Sequence, residues 1–132
     1  MLDQAAKDLT RYRLEKAGGI LAAAKRDFEE EDYSSANNCA YYCIFHAMYS
    51  LLALELEDYK KHSAVIARFF VLYLKTGLLP RKYGVLISNA SLIRNRSDYE
   101  DFYICSVDDT KRLLEGAEGF LKDVSEYLEH VS

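Results

Sequence analysis

The sequence predicts an all-α fold, an up-and-down bundle of four to five helices that forms a single domain over residues 1–132. Half of the residues are apolar and only one is proline, and the residue types that favour helices are abundant. Apolar residues recur at spacings of three and four along most of the chain, which is the period of a helix that buries one face. The length suits one domain with one modest core.

The first predicted helix runs from about Leu2 to Phe28. Its apolar side chains fall on one face: Leu9, Tyr12, Ala17, Ile20, Leu21, Ala24 and Phe28. Gly18 and Gly19 lie in its middle, where each costs about 1 kcal/mol relative to alanine. We therefore expect another helix to approach closely at this point. The acidic residues 29–32 end the helix.

The second predicted helix covers roughly Ser34 to Leu56, with Asp32 or Ser34 as its N-cap. It is apolar nearly all round, through alanine, cysteine, isoleucine, leucine, phenylalanine and methionine side chains. A helix without a wide polar face must be surrounded by other helices. The second helix is therefore predicted to be the central one.

Three further helices are predicted. The third spans about Lys61 to Lys75 and stops at Gly77, because glycine readily adopts the left-handed conformation that ends helices. Pro80 starts the fourth, as proline suits a first helical turn. The last begins after Ser106, a good N-cap with an acidic residue three places on, and its apolar stripe continues to Val131.

Charge and cysteine content limit the possible ligands. The formal net charge is −4, so there is no overall basic field to hold a long nucleic acid. This charge leaves room for a short RNA segment or a small nucleotide as the ligand. Cys39, Cys43 and Cys105 lack the partner residues of a zinc site and are read as reduced thiols. We expect no metal and no cofactor.

No signal peptide is expected at the N-terminus, because charged residues occur within its first few positions. No apolar run reaches the roughly 18–20 residues that span a bilayer. The expected location is the cytoplasm, without membrane contact.

The end of the fourth helix carries the densest group of polar side chains. It contains Arg94, Asn95, Arg96, Asp98 and Tyr99. Arginine is rarely buried without a partner, and its planar guanidinium matches a phosphate or a carboxylate. Asp98 lies four residues after Arg94 and could pair with it on one helical face. The group is therefore either an internal ion-pair clamp or an anion-binding site, and the two are compatible.

The central helix carries a polar stripe at spacings of four, four and three, consisting of Asn38, Tyr42, His46 and Tyr49. Buried polar groups must find partners, because an unsatisfied one costs about 1–3 kcal/mol. His46 is read either as a satisfied core residue or as a member of the arginine site. His62, at the start of the third helix, is either structural or a proton-transfer group, since histidine titrates near neutral pH.

Four blocks of the chain together resemble a prokaryotic subfamily of HEPN domains. They are AYYCIFHA at 40–47, KHS at 61–63, LKTGLLP at 74–80 and RNRSDY at 94–99. The resemblance covers nearly the whole chain in the right order. It implies a four-to-five-helix bundle that is commonly a homodimer. It also implies a minimal nucleotidyltransferase as antitoxin partner in a toxin–antitoxin pair.

The resemblance further implies a metal-independent ribonuclease motif, an arginine followed by a histidine five to seven positions later. Arg94 matches the arginine and Asn95 the polar residue that often follows it. Tyr99 occupies the first position where the histidine could fall, and Glu100 and Asp101 fill the other two. A tyrosine with a pKa near 10 is a poor base at pH 7. His46 or His62 could replace the missing histidine.

The sequence therefore supports an RNA- or nucleotide-binding protein with Arg94 as the main contact. Asn38, Tyr42, Asn95, Arg96 and Asp98 are the expected binding residues, and Arg94, Tyr99, His46 and His62 are the candidate catalytic ones. The alternative is a non-catalytic nucleotide-binding or interaction subunit that partners the nucleotidyltransferase. A di-metal carboxylate bundle is disfavoured because its Glu-x-x-His pairs are missing from the sequence.

Overall fold

The computed structural model describes residues 3–99 and 105–131, except for the side chains of 97–99. Within these residues the fold consists of α-helices, with no strand. The helices are α1 (Gln4–Glu29), α2 (Tyr33–Leu54), α3 (His62–Phe69), α4 (Tyr83–Tyr99) and α5 (Val107–Val131). The predicted all-α bundle is confirmed. None of the helices in the described residues is long and apolar enough to cross a membrane.

Helix α2 is the central element, as predicted. It contacts α1, α3, α4 and α5, and 14 of its 22 residues are buried. Asp32 caps it by accepting a hydrogen bond from the Ser35 backbone N–H. Helix α5 closes the core with an apolar stripe centred on Phe120, which is fully buried.

The four long helices run up, down, up and down. Thr10 of α1 donates to the Ser50 carbonyl of α2, while Asp27 of α1 contacts Cys39, so these two helices are antiparallel. The short helix α3 instead runs parallel to α2, because His62 meets Tyr41 and Tyr73 meets Leu51. Residues 55–61 make this possible by running back along α2.

Local contacts hold this returning segment. Asp58 accepts a hydrogen bond from the Tyr49 hydroxyl. Glu57 accepts one from the Tyr59 hydroxyl at 2.6 Å and two from Arg68, at 2.6 and 3.2 Å. The segment therefore fixes where α3 begins, and with it the position of His62.

Two details differ from the sequence prediction. A Cβ atom built on Gly18 or Gly19 would meet no atom within 4 Å, so the expected close helix approach is wrong; Gly18 is half-buried and Gly19 is exposed. The predicted third helix changes to π-helical geometry over Phe70–Leu74, where the Lys75 N–H donates to the Phe70 carbonyl at 2.8 Å. Gly77, with φ of 79°, ends it as expected.

Candidate functional site

Arg94 lies near the end of α4, with a partly buried side chain that is not sealed in the core. Its guanidinium carbon is 4.9 Å from the centre of the Tyr41 ring and 5.4 Å from that of Tyr42. Both distances are typical of cation–π contacts. The two rings meet edge to face at 5.2 Å. Two consecutive residues of the central helix thus present aromatic surface to one cation.

His62 joins this arrangement from α3. Its Nδ1 is 2.9 Å from the Tyr41 hydroxyl oxygen, a hydrogen bond whose donor depends on the tautomer of the imidazole. The imidazole stacks on Phe45 at 4.0 Å and meets the Tyr42 ring edge-on at 6.0 Å. We refer to Tyr41, Tyr42, His62 and Arg94 as the Arg94 cluster; its members come from three different helices.

Burial and charge set the protonation of the Arg94 cluster. Burial, with the Arg94 charge adding to it, lowers the pKa of His62 below its usual 6.5. Burial raises the pKa of Tyr41 above its usual 10, and Arg94 offsets only part of that rise. At pH 7 the imidazole is therefore neutral and able to accept a proton, while Tyr41 remains a neutral phenol.

His46 lies one turn further along α2, outside the cluster. Its ring is 6.3 Å from that of Tyr42 and 5.6 Å from that of Phe45. Its Nδ1 is screened from solvent and makes no hydrogen bond to any described residue. Burial lowers the pKa of His46, and the nearby positive charges of Lys16 and Arg13 and the His62 side chain act in the same direction.

The remaining predicted site residues are spread more widely. Asn38 is exposed at the start of α2, and Asn95 and Arg96 are exposed on α4. Arg96 lines a separate pocket of about 280 Å³ between α4 and α5, together with Arg112 and Asp109. The side chains of Asp98 and Tyr99 lie outside the described residues, so the predicted pairing of Asp98 with Arg94 stays a prediction.

Sequence reasoning missed two residues. Tyr41 is part of the AYYCIFHA block, and its position beside Tyr42 was the available signal. Arg13 of α1 has its guanidinium carbon 3.5 Å from the centre of the Tyr49 ring, and its Nη1 donates to the Tyr49 carbonyl at 3.1 Å. No pattern in the sequence indicates this contact, because it depends on the register between α1 and α2.

In the part of the chain that the structure describes, no group of three or more histidine, cysteine, aspartate or glutamate side chains is arranged to hold a metal ion. Cys43 is buried, and burial raises the pKa of its thiol to about 12. The Arg94 cluster, with its cation and neutral imidazole, is the arrangement suited to an anionic ligand.

The structure is therefore that of a small all-α helical domain. An arginine of its α4 faces aromatic residues of the central helix α2. The comparison with family models identifies the domain: the HEPN domain model matches residues 10–127. The chain belongs to the HEPN domain family, which confirms the resemblance seen in the sequence.

Three relatives illustrate the family. "Putative toxin MJ0605" of Methanocaldococcus jannaschii is 36% identical over 86 residues, which are 65% of this chain and 64% of that protein. "Putative toxin MJ0142" of the same organism is 29% identical over 115 residues, 87% of this chain and 78% of the relative. A "UPF0332 protein" of Thermotoga maritima is 29% identical over 118 residues, 89% of each chain. The chain thus spans less than two thirds of the first of these relatives.

Proposed function

We propose that this chain is the toxin component of a toxin–antitoxin pair and that it binds and cleaves RNA at the Arg94 cluster. The observation that carries the proposal is Arg94, a partly exposed residue whose guanidinium is set against Tyr41 and Tyr42 beside a neutral His62. Membership of the HEPN family supports it, as do the names of two relatives. Arginine is the side chain best suited to a bound phosphate.

In the proposed reaction the RNA 2′-oxygen attacks the adjacent phosphorus while the bond from phosphorus to the 5′-oxygen breaks. His62 accepts the proton of the 2′-hydroxyl, and solvent water supplies a proton to the departing 5′-oxygen. Arg94 stabilises the negative charge that grows on the phosphoryl oxygens. The products are a 2′,3′-cyclic phosphate and a free 5′-hydroxyl, and the reaction needs no metal ion.

His62 fits the proton-accepting role better than the other candidates. It is hydrogen-bonded to Tyr41, which contacts Arg94, so proton acceptor and phosphate contact belong to one cluster. His46 is separated from the cluster by a helical turn, and Tyr99 has a hydroxyl whose usual pKa near 10 makes it a weak base at pH 7. Tyr99 remains a proposed hydrogen-bond donor to phosphate.

The decisive experiment is cleavage of mixed RNA by the purified chain in EDTA, beside the variants Arg94→Ala and His62→Gln. Removing Arg94 is expected to slow cleavage by about 10²-fold or more, and removing His62 by about 10²-fold. Arg11→Ala is the matched control, an exposed arginine on α1. Equal cleavage by wild type and Arg94→Ala would contradict the proposal.

A non-catalytic nucleotide-binding subunit is the second candidate, favoured by Tyr99 standing where the motif histidine is expected. In that case the wild-type chain leaves RNA intact but gains thermal stability with nucleotides, by an amount that rises with ligand concentration. The Arg94→Ala variant is expected to lose this gain. A wild-type melting temperature that no nucleotide raises would remove this second candidate.

We also propose that the antitoxin of this chain is a minimal nucleotidyltransferase, the partner that the family resemblance implies.

We further propose that the chain forms a homodimer. Large exposed apolar side chains on α4 and the π-helical turn support self-association, with Phe70 49% exposed and Val85 65% exposed. Together with Ile66 and Gly84 they line a pocket of about 430 Å³. Sedimentation should give twice the 15.2 kDa chain mass for wild type and the monomer mass for Val85→Asp; a monomeric wild type contradicts the dimer.

A further inference from the structure

A pocket of about 280 Å³ lies between α4 and α5, and the described residues that line it include no member of the Arg94 cluster. Its floor is apolar and consists of Leu86 and Ile93 of α4 and Leu113 of α5. Leu113 is only 3% exposed, whereas Leu92 at the edge of the pocket is 54% exposed. A ligand that entered this site, which we call the α4–α5 pocket, would therefore remove apolar surface from water.

A glycine of α5 shapes the floor of the pocket. A Cβ atom built on Gly116 would lie 2.4 Å from Cδ1 of Leu86, so alanine at this position would displace the Leu86 side chain. Glycine inside a helix is unfavourable relative to alanine, and the close approach of Leu86 accounts for it here. The position of Leu86 in the α4–α5 pocket thus depends on the missing side chain at residue 116.

Polar side chains surround the apolar floor. Arg96 and Asn89 come from α4, Arg112 and Asp109 come from α5, and all four residues are exposed. Arg112 makes no hydrogen bond or ion pair with any residue that the structure describes. Two guanidinium groups against one carboxylate leave the lining of the pocket with a net positive charge.

A positive lining around an apolar floor suits a small amphiphilic anion. A guanidinium binds a carboxylate or a phosphate through paired hydrogen bonds, and the floor would contact the apolar part of the same molecule. Pockets for drug-sized ligands measure about 300–1,000 Å³. The α4–α5 pocket, at about 280 Å³, therefore suits a smaller molecule, and the Asp109 carboxylate disfavours a second negative group on it.

We propose that the α4–α5 pocket binds a small organic anion, with a carboxylate or phosphate group on an apolar body about the size of one aromatic ring. Arg112 is the main contact of the anionic group, and Arg96 is the second. The site does not depend on the proposed function. An extended RNA strand fits it less well, because Arg96 points about 200° away from Arg94 around α4 and Asp109 repels a chain of phosphates.

The test is an NMR titration of the ¹⁵N-labelled full chain with phenyl phosphate and, separately, with benzoate. The two probes share a ring and differ in the anionic group, so they distinguish a phosphate ligand from a carboxylate ligand. At least one should shift the backbone amide signals of Asn89 and Leu113, with half-saturation at about 1 mM or below, which a ligand of this size can reach. Inorganic phosphate and benzyl alcohol each lack one half of the ligand and should bind roughly tenfold more weakly or less.

Variants separate the contribution of charge from that of shape. Arg112→Gln should weaken binding of the probe by roughly tenfold, because a hydrogen bond to a charged group is lost. Gly116→Ala should also weaken it, without a change of charge, because the new Cβ displaces Leu86. Arg11→Gln, at an exposed arginine of α1, and Arg94→Gln should bind the probe like wild type.

The inference fails if neither probe reaches half-saturation by about 10 mM, or if Arg112→Gln binds them like wild type. Loss of probe binding in Arg94→Gln would also overturn it, because the anion would then lie at the Arg94 cluster. Conversely, a chain that holds the probe through Arg112 but leaves RNA intact supports the α4–α5 pocket and contradicts the proposed function. Circular dichroism confirms that each variant is folded, and Leu92→Ser, at an exposed position, replaces Gly116→Ala if the latter is not.

Discussion

Tyrosines occupy two regions of this molecule in opposite electrostatic surroundings. In the core, the Tyr73 hydroxyl lies 3.1 Å from the Leu51 carbonyl and 3.0 Å from a Glu55 carboxylate oxygen, and the Tyr83 hydroxyl donates to Asp123. In the Arg94 cluster, Tyr41 and Tyr42 face a cation and a histidine instead.

The difference shows what each region is suited to do. A hydroxyl that donates to a carboxylate links two segments of the bundle. The negative charge of that carboxylate is already engaged in the hydrogen bond. Burial and that carboxylate raise the pKa of Tyr73 and of Tyr83 well above 10, so both remain neutral hydrogen-bond donors. The rings facing Arg94 leave a positive charge at a partly exposed position, which attracts an anion. The first region stabilises the bundle, and the second is suited to binding.

The largest effect on stability is expected where a core tyrosine is removed. Tyr73→Ala deletes a ring with no exposed surface and should lower the free energy of unfolding by about 3–5 kcal/mol, as for other large buried side chains. Tyr42→Ala, at a partly exposed position, should cost less than half as much. Urea unfolding of both variants measures the difference, and equal losses would contradict the division into two regions.

The hydroxyl of Tyr41 is expected to matter for activity more than for stability. Tyr41→Phe keeps the ring under Arg94 but removes the hydrogen bond that holds His62. We expect RNA cleavage to fall about tenfold, less than the roughly 10²-fold or greater effect of a lost proton acceptor, because the imidazole remains but is less well oriented. The free energy of unfolding should change by about 1 kcal/mol at most. Unchanged cleavage rates would show that His62 acts without Tyr41.

The matching change in the core should have the reverse pattern. Tyr83→Phe removes the hydrogen bond to Asp123 and should lower the free energy of unfolding by about 1 kcal/mol, with no change in cleavage or RNA affinity. Thermal unfolding measures the first part, and the cleavage assay together with fluorescence anisotropy of a labelled single-stranded RNA measures the second. A loss of RNA affinity at unchanged stability would place Tyr83 in the binding region.

The smallest effect expected is a pH dependence of stability from the two histidines. The folded-state pKa values of His46 and His62 are both lowered, so the unfolded chain takes up their protons more readily. Their contribution to stability is present above about pH 6.5 and is lost as the pH falls through the folded-state values. Between about pH 6.5 and 5, the melting temperature of wild type should therefore fall more steeply than that of the His46→Gln/His62→Gln double variant.

A different group acts at lower pH and serves as an internal comparison. Hydrogen bonds from Arg68, and next from Tyr59, lower the pKa of Glu57 below its usual value, so its contribution is lost only in the acid range below that value. The contribution of Glu57 to stability should be retained in the double variant. If the melting temperatures of wild type and the double variant fall in parallel from pH 6.5 to 5, protonation of the two histidines does not destabilise the folded chain.

Much of the fold was predictable from local patterns. The central position of α2 followed from its apolar residues on all sides, and the start of α5 followed from Ser106, whose hydroxyl accepts from the Asp109 N–H. The failures were equally local in origin. Glycines at 18 and 19 were read as a close helix approach, yet space around them is open. The π-helical turn after Phe69 gave no signal, because its hydrogen bonds shift by one residue without changing the apolar period.

The candidate site was predictable in its residue types but not in its grouping. Arg94, Tyr42 and His62 were named from the sequence, and the structure brings them together. Arg96 was expected beside them and lies instead on a pocket between α4 and α5. Two residues apart on a helix point about 200° away from each other, so one face of α4 cannot hold both arginines.

By itself the sequence determined the helices, the central role of α2 and the family, because helix periodicity, capping and short motifs are encoded by neighbouring residues. The tertiary structure alone decided that Tyr41, His62 and Arg94 meet and that Arg13 covers Tyr49. These contacts join residues 21 to 53 positions apart, counted from the sequence numbers. Their register is set by how the helices pack and by the returning segment 55–61, which no local pattern encodes.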